Sequence, residues 1–285
     1  MNKKYFTPKK IHAYLRAAIQ LVFFLFLPSA FTTAFSGIKS VLTQIGAGNP
    51  IAWSSFLTVL LALCAYTIVF GRFFCGYACA FGTLGDAVHS LYLFLCKKCK
   101  KKPLLLKKSW KKPLSYLKYA VLLAVVLLCF LGVYGDLTGW SPWDVFSMAT
   151  SLNFRLGGYA VGCILLLVLI LVGMVFCERF FCRFLCPMGA VFSLLPILPF
   201  FSVRRKREKC AKGCTACEKV CPSDLSLPED GSWNVSGDCF QCQKCLEICP
   251  KKNAKSSIRN FRGNEIWFTL LRAVVLAAVL ILAGI

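Results

Sequence analysis

The chain has 285 residues, 58% of them hydrophobic, and a formal net charge of +22. A soluble domain carries about 45–50% apolar residues, so this composition excludes an ordinary soluble fold and points to membrane spans. The positive charge is clustered beside apolar stretches, which fits membrane topology and anionic lipid rather than nucleic acid, and aromatic-interleaved nucleic-acid motifs are absent.

Five stretches are apolar and long enough for a crossing of about 20 residues. They cover residues 11–35, 51–70, 116–134, 159–176 and 266–285. Lys3, Lys4, Lys9 and Lys10 precede the first and place the N-terminus in the cytoplasm. A cleaved signal peptide is the alternative for the first stretch, although its apolar run is long for one. The segments after the first and third spans carry few basic residues and are expected outside. Nine lysines between residues 97 and 112, and the basic residues Arg204, Arg205, Lys206, Arg207 and Lys209, are expected inside. The outward loop holding Trp140, Pro142, Trp143 and Asp144 reads as an interfacial aromatic belt or a docking site for a partner.

A repeat marks the membrane part. Arg72-Phe73-Phe74-Cys75 with Cys79 recurs as Arg179-Phe180-Phe181-Cys182 with Cys186, 107 residues later. Each copy follows a two-span hairpin and precedes a short apolar segment, residues 82–95 and 188–201, expected to be interfacial or re-entrant. On a helix, cysteines four apart share a face. Cys75, Cys79, Cys182 and Cys186 are therefore candidates for one site that holds a metal, a cluster or exchangeable disulfides. Cysteine is also readily buried as filler, and Cys64, Cys129, Cys163 and Cys177 are read that way.

Two further runs carry eight of the eighteen cysteines, and both end in Cys-Pro. The first holds Cys210, Cys214, Cys217 and Cys221, followed by Pro222; the second holds Cys239, Cys242, Cys245 and Cys249, followed by Pro250. This is the bacterial two-cluster ferredoxin pattern, in which each run lends its last cysteine to the other cluster. One 4Fe–4S cluster is assigned to Cys210, Cys214, Cys217 and Cys249. The other is assigned to Cys239, Cys242, Cys245 and Cys221. A disulfide scaffold and a zinc ribbon are the alternatives, disfavoured by the matching Cys-Pro endings and by four cysteines packed within each short run. The first run opens with three residues between cysteines where two are usual; Gly213 is the residue expected to accommodate the extra one, and Cys210 is the least secure ligand.

Smaller features carry less. Only His12 and His89 are present, too few for a well-placed bis-histidine haem. Asp86 and His89 could serve a proton relay or a quinone pocket, although an interfacial location explains them nearly as well. Cys96 and Cys99, set among lysines, could bind metal or carry acyl chains, but read better as unpaired surface thiols.

With these motifs the chain, over residues 71–250, resembles the membrane-bound polyferredoxin family that includes NapH, MauN and the C-terminal half of NosR, and more distantly the copper-reducing protein CcoG. Cys182, Cys186 and Pro187 match its Cys-x3-Cys-Pro motif in full; Cys75 and Cys79 match, with Ala80 in place of proline. The resemblance implies an electron relay through or along the membrane, often from quinol, to a reductase or a maturation pathway.

The expected fold is an α-helical integral membrane protein with about five transmembrane helices in two hairpin repeats. Each repeat ends in a Cys-x3-Cys motif and a short interfacial or re-entrant helix, and a cytoplasmic α+β two-cluster ferredoxin-like domain is inserted. The expected division is a membrane domain over 1–203 (repeats at about 11–112 and 113–203), the ferredoxin-like domain over 204–262 and a C-terminal transmembrane helix over 263–285. The expected location is the cell (inner) membrane, with the N-terminus and ferredoxin domain cytoplasmic. The expected function is single-electron transfer between a cytoplasmic or quinone partner and a membrane-associated or outward-facing reductase subunit or flavoprotein. The alternatives are a copper reductase or cofactor-assembly factor using the membrane cysteine pairs, and a redox sensor. Membrane lipid is an expected partner and nucleic acid is not.

Overall fold

The computed structural model describes residues 8–133, 161–198, 201–258 and 265–285. Lys3, Lys4, the loop of Trp140, Pro142, Trp143 and Asp144, and the start of the expected fourth span lie outside the described residues.

Helix α1 (Pro8–Phe26) stops before Pro28, which has no amide hydrogen to continue the helical ladder. Helix α2 (Ala30–Gly46) leaves at 62° to it. The expected single span over residues 11–35 is therefore divided. Helix α3 (Ser55–Phe70) is N-capped by Ser54, whose hydroxyl oxygen accepts the Leu57 N–H at 3.3 Å. After the one-turn helix α4 (Phe73–Tyr77) comes α5 (Ala80–Lys98), which contains the whole expected 82–95 segment. Helices α6 (Lys108–Leu114) and α7 (Leu117–Phe130) follow, then α8 (Val161–Phe176), one-turn α9 (Phe180–Phe184) and α10 (Pro187–Leu194).

Among the described residues, two helices are long and apolar enough to cross a membrane, Ser109–Phe130 and Glu265–Leu282. The bent pair Ile11–Phe26 and Ala30–Gly46 makes a third if it is one span. This corrects the expectation of about five transmembrane helices. Helix α3 has 16 residues, which rise about 24 Å against a hydrocarbon core of about 30 Å. Apolar sequence there serves protein packing instead: Val59, Leu63 and Tyr66 are buried. The expected hairpins are not self-contained packing units either, although α2 does pack against α3. Helix α7 lies against α2 and α10, while α8 lies against α5 and α9, so the two repeats interleave.

The segment after α10 folds into a small antiparallel sheet with β1 (Phe201–Lys206) between β2 (Asp230–Trp233) and β3 (Lys255–Ile258). Register pairs Arg204 with Trp233 on one side and with Lys255 on the other. Two one-turn helices, α11 (Ala216–Lys219) and α12 (Lys244–Ile248), pack together over a core of Val203, Cys217, Leu227, Leu246 and Ala254. The last helix, α13 (Glu265–Leu282), returns to α3 and α1. The larger core is aromatic where the repeats meet: Phe81 stacks on Phe181 at 4.4 Å, and Phe31 meets both rings edge-on.

Candidate cysteine sites

Cys75 lies within α4 and Cys182 within α9. The expected continuous helix over each cysteine pair does not form. The chain leaves the helix after Tyr77 and Phe184, and Cys79 and Cys186 sit in extended backbone as N-caps of α5 and α10. The Cys186 Sγ accepts the Gly189 N–H at 3.2 Å, and Pro187 at the first helical position lacks the amide that would need a partner.

All four thiols are buried and close together. Cys79 lies near Cys182 across the repeats, Cys75 lies near Cys182, and Cys186 lies near both Cys75 and Cys182. Among the described residues no three or more Cys, His, Asp or Glu side chains close to the geometry of a bound metal ion. The thiols are gathered without being drawn in around one point.

Two arginines, one from each repeat, are fully buried beside this quartet. Arg179 reaches into the first repeat, donating from Nη1 to the Cys75 carbonyl at 2.6 Å and from Nη2 to the Gly76 carbonyl at 2.8 Å. It also pairs with Asp86 at 2.5 Å, and Gln20 donates to the same carboxylate at 2.8 Å. A buried guanidinium needs such a partner set. Its backbone is in the left-handed region, φ +56°, a conformation rare for a residue with a Cβ. Arg72 makes the reciprocal reach. Its Nη2 lies beside Gly189, where a Cβ would approach to 2.9 Å, and has no hydrogen-bond partner. Gly82 holds the matching position in the first repeat, where a Cβ would meet the Cys75 carbonyl at 2.8 Å.

The second cysteine run packs directly onto this arrangement. Phe240 lies under both arginines, 4.7 Å from the Arg72 guanidinium and 5.2 Å from that of Arg179. Such cation–π contacts strengthen when desolvated. Gly76 admits the Phe240 carbonyl, which any Cβ there would strike. Gln241 and Gln243 both have positive φ, +53° and +61°, so the run coils back on itself. Their side chains tie it down, Gln241 to Ser202 Oγ at 3.4 Å and Gln243 to Thr269 Oγ1 at 2.8 Å. Arg16 of α1 donates to the Cys242 carbonyl at 3.0 Å.

Cys217 and Cys221 of the first run line one cavity with Cys239, Cys242 and Cys245 of the second. Burial pushes the Cys239 and Cys242 thiols up to about 11. Burial also raises Cys221 and Cys245, and for Cys245 the neighbouring thiols Cys242, Cys239 and Cys221 add to it. Cysteine sulfurs gathered on one cavity are the donor type that soft iron takes, as thiolates. Backbone amides already serve the sulfurs: Leu225 N–H points to Cys221 Sγ at 3.4 Å, and Asn253 N–H to Cys249 Sγ at 3.2 Å. On donor chemistry, these residues fit a thiolate-bound iron–sulfur group.

The first run is held more loosely. Arg205 donates to Cys217 Sγ at 3.0 Å and Arg207 to the Cys214 carbonyl at 2.9 Å. Gly213 turns at φ +67°. Asn253 joins Cys210 to Cys249, its side-chain amide lying 3.3 Å from Cys210 Sγ while its backbone serves Cys249. Cys217 and Cys249 share the small core.

Other expectations fall differently. Asp86 is the partner of Arg179, and His89 Nδ1 contacts the Val175 carbonyl at 2.9 Å, so the two side chains serve separate contacts. Cys96 is half-buried and Cys99 exposed at the end of α5. Sequence reasoning overlooked Phe240, Asn253 and the burial of Arg72, Arg179 and Arg205. The repeated arginine was visible within the motif, but a charge before an apolar turn reads as a surface residue.

Comparison with known proteins adds to this geometry. A family model described as a 4Fe–4S binding domain matches residues 52–113 and again 159–207, the two segments that carry the Cys-x3-Cys pairs. Two proteins of Methanocaldococcus jannaschii are each 31% identical. For MJ0749 the match covers 68% of this chain and 68% of that protein; for MJ0750 it covers 82% and 90%. The ferredoxin-type protein NapH of Haemophilus influenzae is 27% identical over 70% of this chain and 67% of its own. Homology at 26–27% identity extends to YccM and NosR, of which the matched part is 59% and about a third. No solved structure matches the chain. Two or three apolar helices agree with membrane association. Carrying the 4Fe–4S binding domain twice, the chain belongs to the family of MJ0749 and MJ0750, distantly homologous to the ferredoxin-type NapH proteins.

Proposed function

We propose that the protein relays single electrons between the two cysteine runs and the cysteine quartet at the junction of its repeats. The observation that carries this reading is Phe240. It stands between Cys239 and Cys242, its carbonyl fills the space over Gly76, and its ring lies under Arg72 and Arg179. The second run and the quartet thus share one wall.

In this reading Cys239, Cys242, Cys245 and Cys221 hold one 4Fe–4S cluster, and Cys210, Cys214, Cys217 and Cys249 hold the other. When bound, such clusters supply one-electron chemistry, with potentials set by hydrogen bonds and solvent exposure. The chain's own residues set both. Arg205, Leu225 and Asn253 donate to sulfurs; Phe240 and Leu246 exclude water. Cys75, Cys79, Cys182 and Cys186 form the next stop. Support for iron there comes from the family model, whose two matches fall on the segments that carry these pairs. Arg72 and Arg179 would offset the negative charge of ionised thiols.

The partners we infer are a quinone, a reductase subunit or a flavoprotein, with the sheet module on the cytoplasmic side of the cell membrane. The module's basic face would steer an acidic protein. Anaerobic purification with iron and sulfide analysis and EPR tests the cofactors. Proteoliposomes reduced with dithionite test the relay: the chain should pass electrons to quinone or an external acceptor. Clusters that reduce but deliver nothing would end the reading. Copper in place of iron at the quartet would favour a copper reductase.

A further inference from the structure

A second cavity, of about 370 Å³, lies on the far side of Phe240. Four separate parts of the chain build it, Arg72 at the start of α4 being one. Lys112, Tyr116 and Lys118 come from the α6–α7 stretch, Arg183 from α9 and Asp224 and Asp238 from the loops of the cysteine runs. Lys112 and Tyr116 are exposed, while Lys118, Arg183, Arg72 and Phe240 are buried. The mouth is therefore at the start of the apolar Ser109–Phe130 stretch, where a helix enters a membrane, and the floor is against the cysteine run.

The charges in the wall do not balance. Asp238 accepts from Lys118 at 2.5 Å and also faces Arg72 at 3.6 Å. Asp224 faces Arg183 at 2.8 Å and Lys111 at 3.7 Å. Each carboxylate thus serves two cations, and Lys112 adds another positive charge at the mouth. Arg72 also keeps Nε buried without an acceptor. The side chains of Ser115, Tyr116 and Ser223 bring hydroxyl donors. A wall with surplus cations and donors selects an anion rich in acceptor oxygens, and phosphate answers it best. Volume agrees, since binding cavities run from about 300 Å³ upward.

We infer that this cavity binds a phosphate group, and the position of its mouth points to the headgroup of an anionic phospholipid. Basic pockets beside membrane helices on the cytoplasmic side take such headgroups. Because its wall joins α6–α7, α9 and the loops after Cys221 and before Cys239, the bound headgroup would clamp the sheet module against the membrane helices. Exposed tyrosine at the mouth suits the headgroup layer.

The test uses the full chain in detergent, stripped of lipid. Native mass spectrometry follows retention of phosphatidylglycerol, phosphatidylcholine and inorganic phosphate. Phosphatidylglycerol should be retained over phosphatidylcholine, and Lys112→Glu should weaken its retention by about tenfold or more. Lys101→Glu, the same charge change on an exposed lysine outside the cavity, should leave it unchanged. Inorganic phosphate that binds with the same sensitivity to Lys112→Glu, while phosphatidylglycerol does not, would keep the anion site and make its source soluble. Equal retention of the two lipids with no binding of phosphate overturns the inference. So does an equal effect of the two lysine substitutions, which would mean diffuse surface charge.

Discussion

The two cysteine runs have nearly the same sequence pattern and very different surroundings. The second is embedded: Arg16, Arg72, Arg179, Gln241 and Gln243 tie it to α1, α4, α9, β1 and α13. The first is held mainly by residues of its own module, Arg205, Arg207 and Asn253, and its end meets α9, where Arg183 donates to the Pro222 carbonyl. A spacing motif therefore specifies donors, but the electronic environment of each run is set by distant parts of the chain. A centre in the second run should be shielded and coupled to the quartet. One in the first run should be the more exposed and the one offered to a soluble partner.

The largest effect should come from Arg179→Met. It leaves the Asp86 carboxylate buried without its cation, a loss of about 3–5 kcal/mol. Thermal unfolding of the full chain in detergent should fall accordingly, and Asp86→Asn in the same chain should restore part of it. The EPR signal of the second run should change with the substitution while that of the first stays. Equal damage to both signals would erase the difference between the runs.

Phe240→Ala comes next. It removes a buried ring from beneath two guanidinium groups, costing about 3–5 kcal/mol by the general scale for such truncations. Phe240→Leu keeps apolar bulk and loses the π face, so it should cost less while still slowing transfer from the second run to the quartet. If stopped-flow reduction of the quartet keeps its rate in the leucine variant, the shared wall is packing alone.

Arg205→Met acts on the other run. It strips a donor from Cys217 Sγ and from the Leu227 carbonyl, each left buried. About 1–3 kcal/mol is expected, with a shifted signal from the first run only.

How far sequence carried this picture differs by scale. The gathering of these cysteines was legible because spacing is a local property: Cys239, Cys242 and Cys245 sit on one coiled stretch, and Cys217 and Cys221 of the other run border the same cavity. The repeat was legible too, and the structure interlocks its copies through Arg72 and Arg179. Span number was not legible. Hydropathy registers apolar side chains without asking what covers them, and in α3 protein covers Leu63 and Tyr66. Pro28 was present in the sequence as a breaker, yet the apolar run around it outweighed it. Phe240 was invisible for a different reason: its role depends on Gly76 and two arginines far away in sequence, and no local pattern announces such contacts.

The smallest effect sharpens the comparison most. Asn253 donates from its side chain to the Lys206 carbonyl at 2.6 Å and lies 3.3 Å from Cys210 Sγ, while its backbone N–H serves Cys249. Asn253→Ala keeps the backbone bond and removes the side-chain ones, so stability should drop by only about 1 kcal/mol. The Cys210 thiol depends on that amide, since its other polar contact is a long one to the Lys206 carbonyl at 3.7 Å. A centre in the first run should then lose iron more readily, seen as a three-iron EPR signal after mild oxidation, with the second run unaltered. Cys210→Ser should give the same signal. If Cys210→Ser leaves the first-run signal intact, Cys210 is no ligand, the extra residue before Cys214 has displaced it, and the two runs differ in donor set as well as in surroundings.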